Sequence, residues 1–213
     1  MKKALLVVVI LLVSVSLAAA QSTVVKDSTI KNESTVKAGS QYVADSMGGG
    51  IGGGAEANMG TVKLKNSQIH KATILNKSDV TKGTNIAKGE AATANMGSIQ
   101  VTNSNVKQDA LLKNNSEVTN ATNTATGIKS TANMGSIQAT NANIVSGAKV
   151  VNKSTVTDST NAATGIGATA NMGSIQVKNS QVQGGRMTND STVTGSSINE
   201  ATGADATANK RAK

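Results

Sequence analysis

Large apolar residues recur along this chain at gaps of mostly five or six, with one pair per repeat spaced by two. One stretch reads Ile99, Val101, Val106, Leu111 or Leu112, then Val118; a later one reads Ile175, Val177, Val182, Met187, Val193, Ile198. An amphipathic helix would favour gaps of three and four, and the β-branched residues, Gly and Asn that fill these gaps are poor helix formers. The spacing predicts short strands that each turn one or two side chains inward. Asn and Gly at the intervening corners accept left-handed backbone angles. The string Ser98–Val101 is one such strand, with Ile99 and Val101 on one face and Gln100 on the other.

The same phrases return. Ala92–Val101 is matched at Ala168–Val177, and close variants stand at Ala55–Leu64 and Ser130–Ala139. Aligned on Asn58, Asn95, Asn133, Asn171 and Asn209, the steps are 37, 38, 38 and 38 residues. Gly52, Gly89, Gly127, Gly165 and Gly203 each lie six residues before that Asn. Strings beginning at Asn32, Asn76, Asn114, Asn152 and Asn189 share the form Asn-x-Ser, and a third signature begins at Asn66, Asn103, Asn141 and Asn179. The period divides the chain into a leader (1–20), an irregular first repeat with the Gly-rich insert Met47–Gly54 (21–57), repeats at 58–94, 95–132, 133–170 and 171–208, and a basic tail (209–213).

One unit offers about six sizeable apolar side chains, too few to offset the backbone entropy of ordering it. Units that stack share their apolar faces and satisfy each other's backbone hydrogen bonds. The expected fold is therefore an all-β, repetitive β-solenoid or β-roll of roughly 38-residue units. Residues at matching places, such as Ile99, Ile137 and Ile175, should meet across layers, and the repeated Asn should form side-chain ladders.

The N-terminus reads as a signal. Two lysines precede an apolar run, and Ala18–Ala20 supply small residues for cleavage. The run is short for a membrane span of roughly 20 residues, so we expect export and a secreted or cell-surface location. Composition agrees with a thin repetitive fold. Tyr42 is the only aromatic residue, and Cys and Pro are absent. Large rings that fill ordinary globular cores are missing, and no disulfides can form.

Two families share these features. The string Asn161–Val177 resembles the head repeat of trimeric autotransporter adhesins, through Ala163, Gly165, Ala168, Ala170 and the later Gly173, Ser174 and Ile175. That resemblance implies a left-handed β-roll. The overall plan, a signal followed by imperfect Asn/Ala/Gly/Val-rich repeats, is similar in style to bacterial functional-amyloid fibre subunits of the Fap and curlin type. Both resemblances imply a secreted, β-rich surface or matrix protein.

Reactive groups are sparse. His70 is the only histidine, and its counterparts in other repeats are Lys107, Val145 and Gln183, so it reads as a surface residue. Carboxylates do not recur in register, so no acid–base pair stands out. The four Met of the Asn-Met-Gly strings (Met59, Met96, Met134, Met172) read as core fillers rather than metal ligands. The Asn-x-Ser strings formally match glycosylation acceptors, but their recurrence points to side chains that bond backbone and fix a turn. Thr122, Thr124 and Thr126 hint at a lattice-matching row that other repeats do not preserve. No catalytic, cofactor or metal site is expected, and no cofactor.

Removing Lys2 and Lys3 from the formal charge of +9 leaves +7. Anionic surfaces or acidic polysaccharide are candidate partners; specific nucleic-acid recognition is not expected without aromatic platforms. The sequence thus predicts a non-enzymatic, exported structural protein that self-associates into fibres or matrix. The alternative is a β-roll adhesin that binds without polymerising. The leader would engage the export machinery.

Overall fold

The computed structural model describes residues 23–27, 29–36, 41–45, 55–145 and 147–210. The expected signal, the insert Met47–Gly54 and residues 211–213 of the tail lie outside these. The described residues contain no helix; they form 29 short strands. The strands build a parallel β-solenoid of six sheets, five with five strands and one with four.

One circuit runs as follows: Ser67–His70 in sheet I, Thr73–Asn76 in sheet II, Asp79–Thr81 in sheet III, Thr84–Lys88 in sheet IV, Thr93–Met96 in sheet V and Ile99–Thr102 in sheet VI. The chain then re-enters sheet I one strand further along. Between regular circuits each residue pairs with the one 38 positions on. Ile99 pairs with Ile137 and Ile137 with Ile175, and Asn95 pairs with Asn133 and Asn133 with Asn171. The expected stack is what forms.

The inward positions sort into three columns of unlike side chains. Sheets VI, I and II enclose Ile, Val and Leu, among them Ile99, Ile69 and Ile74. Sheets IV and V meet through alanines such as Ala87, Ala94, Ala125 and Ala132. So small a side chain lets these two sheets approach closely without leaving voids. Sheet III closes the third part, where Val80, Val118 and Val156 pack on Met96, Met134 and Met172. The methionines are core fillers, as their sequence context indicated.

The corners use left-handed angles at recurring places. Asn66, Asn103, Asn141 and Asn179 take φ of 52°, 49°, 50° and 48° between sheets VI and I. Gly is forced at one corner. Gly127 and Gly165 have φ of 139° and 133°, and a Cβ there would stand 1.9 Å and 2.1 Å from the carbonyl oxygen of the glycine one circuit earlier. Backbone therefore stacks directly on backbone along Gly89, Gly127, Gly165 and Gly203.

Two inward assignments are settled differently by position. Leu112 is buried in the core while Leu111 is outward and half-buried. Ile198, read from its spacing as inward, faces out. It pairs with Thr160 in the column that also holds Thr122 and Thr84, and it is 52% exposed. The gap of five from Val193 had suggested the core; the strand alternation puts Asn199 inside instead.

Candidate functional site

Three asparagine ladders run along the stack. In sheet II, Asn32 donates from Nδ2 to Asn76 Oδ1 at 2.8 Å, Asn76 to Asn114 at 2.9 Å, Asn114 to Asn152 at 3.1 Å and Asn152 to Asn189 at 3.3 Å. In sheet IV, Asn85 donates to Asn123, Asn123 to Asn161 and Asn161 to Asn199, each at 2.8 Å. Both ladders lie inside the solenoid. From Asn76 on in sheet II and throughout sheet IV the amides also donate to backbone: Asn123 Nδ2 reaches the carbonyls of Ala94 and Asn133 at 3.0 and 3.2 Å, tying sheet IV to sheet V.

The third ladder comprises Asn58, Asn95, Asn133, Asn171 and Asn209 of sheet V. Its amides point the other way, each donating to the residue one circuit earlier, at 2.7, 2.8, 2.8 and 3.0 Å. These side chains alternate with the inward Ala94 and Met96, so they leave the sheet on its outer side. Asn95, Asn133 and Asn171 are nevertheless buried, because Gln100, Gln138 and Gln176 of sheet VI fold over them. Asn133 and Asn171 donate to Gln138 and Gln176 at 3.1 and 2.9 Å. The glutamines form a second ladder, Gln100 to Gln138 at 3.3 Å and Gln138 to Gln176 at 3.1 Å. The recurring Asn that sets the sequence period thus seals a concave elbow.

The Asn-x-Ser strings bind across the core. Ser116 donates to the carbonyl of Gly97, and Asn114 Nδ2 reaches the same oxygen at 3.0 Å. Ser154 and Asn152 do the same at Gly135, and Ser191 and Asn189 at Gly173. These side chains fix the opposite corner, whereas the sequence had suggested only their own turn. Asn76, Asn114 and Asn152 are fully buried, so the folded protein offers them to no glycosylating enzyme.

His70 is half-buried on the outer side of sheet I, paired in register with Lys26 and Lys107. Among the described residues no three His, Cys, Asp or Glu gather to hold a metal. The Thr row is broken at its centre and at its ends, where Ile198 and Gln41 close one column and Lys88 and Asp45 the other. Thr84, Thr122 and Thr160 align, as do Thr126, Thr164 and Thr202, but Thr124 stands between Ile86 and Ala162.

The ends of the solenoid differ from its middle. Along sheet II the inward column is Ile30, Ile74, Leu112, Val150 and Met187. Its three middle members are at most 1% exposed, while Ile30 and Met187 are 37% and 42% exposed. Val182 ends the corresponding column of sheet I, also exposed. An open cleft at this end is lined by Ile175, Val177, Asn189 and Lys210, where sheet VI stops one strand short of its neighbours. No family model matches the chain, and no curated protein matches it.

Proposed function

We propose that this chain is an exported, non-enzymatic structural protein whose copies stack head to tail into extracellular fibres or matrix. The observation that carries the reading is the exposure of the inward column at both ends of the described stack, at Ile30 and Met187. A core column that is dry in the middle and wet at both ends is completed by another copy, and sheet edges template such pairing. Continued register would seat Met187 on Ile30 of a second copy. The ladder polarity fits as well: Asn152 donates into Asn189, so Asn189 would next donate to Asn32 of that copy, whose own amide donates onward to Asn76. Three places are imperfect. Lys210 would stand over Met59 at the end of the Met column, Asn199 would stand in register over position 42, and sheet VI, one strand shorter than the rest, would leave a gap between Ile175–Lys178 and Val62–Lys65 of the next copy. The junction is therefore weaker than an internal layer, which suits assembly on demand.

The chain has no cysteine, so a Met187→Cys chain mixed with an Ile30→Cys chain tests the junction directly. Paired parallel strands lie about 4.8 Å apart, within disulfide reach. The two sites within one chain are four strands apart, roughly 19 Å at that spacing. The expected result is a mixed disulfide dimer on oxidation and fibres of the wild-type chain in electron micrographs. Persistent monomers at high concentration with no cross-link would overturn the reading in favour of a non-polymerising β-roll adhesin.

A further inference from the structure

The outer faces of sheets VI, I and II carry one sign of charge. Every charged residue on their strands, His70 aside, is Lys or Arg, with no Asp or Glu. The strands of sheets III, IV and V differ: Asp79, Glu117, Glu200 and Glu56 stand there beside Lys88 and Lys210. The three basic sheets are consecutive in each circuit and wrap the same Ile/Val/Leu core, so they form one flank, in which carboxylates among the described residues stand only at the corners between sheets I and II, at Asp27 and Asp109.

Most of these cations have no anion beside them. Lys31 pairs with Glu33 at 2.7 Å and holds that carboxyl below its ordinary value through their hydrogen bond, and Lys63 pairs with Glu56. Lys65, Lys107, Lys113, Lys149, Lys178 and Arg186 take no part in the ion pairs among the described residues. Lys149 is the direct register partner of Arg186. Like charges opposed across a strand pair destabilise the sheet, and an anion lying along the flank would relieve that repulsion. Between the cations stand amides and hydroxyls, including Gln68, Thr102, Asn105, Thr140, Asn143 and Gln181. These groups bond sugar hydroxyls.

We propose that the flank formed by sheets VI, I and II binds a linear acidic polysaccharide laid along the stack of strands. Nucleic acid fits the same surface less well. The flank has no aromatic ring for a base to stack on, no helix to enter a groove, and, apart from Arg186, Lys in place of the forked Arg that grips phosphate. The inference goes beyond the assembly reading and does not need it, because each monomer carries the flank.

The test measures binding of monomeric chain, below its assembly concentration, to alginate, to neutral dextran and to a short DNA duplex. Two variants remove the same charge: Lys107→Gln/Lys113→Gln/Lys178→Gln on the flank and Lys82→Gln/Lys88→Gln/Lys129→Gln elsewhere. Alginate should bind, weaken with added salt, and weaken about tenfold or more in the flank variant but less than about threefold in the other. Dextran should not bind. If the flank triple fails to fold by circular dichroism, the single variants Lys107→Gln and Lys178→Gln should each weaken binding about twofold. Equal losses in both triples, no alginate binding by wild type, or tighter binding of the duplex than of alginate would overturn the proposal. None of those outcomes touches the cysteine cross-link that tests assembly.

Discussion

Val106 and Ile144 are register partners in adjacent parallel strands of sheet I, and both side chains are buried in the same core. They are 38 residues apart in the chain, and by strand spacing about 4.8 Å apart in space. The contact defines the layer: every property of the molecule follows from which residues the period brings into such columns.

The glycine corner should be the least tolerant place in the fold. Gly165→Ala puts a Cβ 2.1 Å from the Gly127 carbonyl oxygen, at φ +133°. That carbonyl belongs to backbone locked in the stack and cannot swing away. The substitution should cost about 3 kcal/mol or more. Gly167→Ala, two residues on, meets nothing closer than 3.7 Å and should cost only about 1 kcal/mol for its positive φ. Urea unfolding of the two variants side by side checks the difference; equal losses would mean that the stacked carbonyl contributes nothing.

The buried ladder of sheet II should respond to charge. Asn114 is fully buried and bonds Asn76, Asn152 and the Gly97 carbonyl. Asn114→Ala strands those partners and should cost about 2–4 kcal/mol. Asn114→Asp introduces an acid whose charged form burial disfavours, so its folded pKa rises above the unfolded value of about 3.9. A raised folded pKa gives stability that is present at low pH and lost as pH rises. The Asp variant should therefore be closest to wild type near pH 3 and fall behind it towards pH 7. Thermal melts across that range would show a flat difference if the site were wet.

Much of this fold was legible because inward positions repeat every circuit. The gaps of five and six mark one inward residue per short strand, and the columns of Ile99, Ile137 and Ile175 or Met96, Met134 and Met172 followed from alignment alone. What sequence could not give was which corner faces which across the core. Hence Ser116 and Asn114 were expected to serve their own turn, although they hold Gly97. Ile198 was misplaced although a signal existed: one, two and three periods earlier stand Thr160, Thr122 and Thr84, an outward column. The lysines were scattered in sequence, and the period gathers Lys65, Lys107, Lys113, Lys149 and Lys178 on three adjacent sheets. No spacing rule shows that before the sheets are assigned to sides.

The ends should govern assembly. Lys210 occupies the column of Met59, Met96, Met134 and Met172 and donates to the Ser197 carbonyl. A charge at this place opposes the apolar surface of an incoming copy. Lys210→Met should lower the concentration needed for assembly by about tenfold, and Met187→Lys should raise it by a similar factor, as each changes one buried apolar contact. Sedimentation across a concentration series reads both. Unchanged thresholds in the two variants would place the junction elsewhere on the molecule.

The same substitution at two isoleucines separates inside from outside. Ile144 is 1% exposed within the core of sheets VI, I and II, and Ile198 is 52% exposed on sheet IV. Ile144→Thr buries a hydroxyl without a partner and removes apolar volume, and should cost about 3 kcal/mol. Ile198→Thr continues the outer column of Thr160, Thr122 and Thr84, keeps a β-branched side chain suited to a strand, and should change stability by less than about 0.5 kcal/mol. Because Ile198 lies in the last strand of sheet IV, its replacement also removes an exposed apolar side chain without touching any core column. Chemical denaturation of both variants decides the matter: a loss at Ile198 comparable to that at Ile144 would put that side chain back in the interior and reverse the alternation assigned to strand Ile198–Thr202.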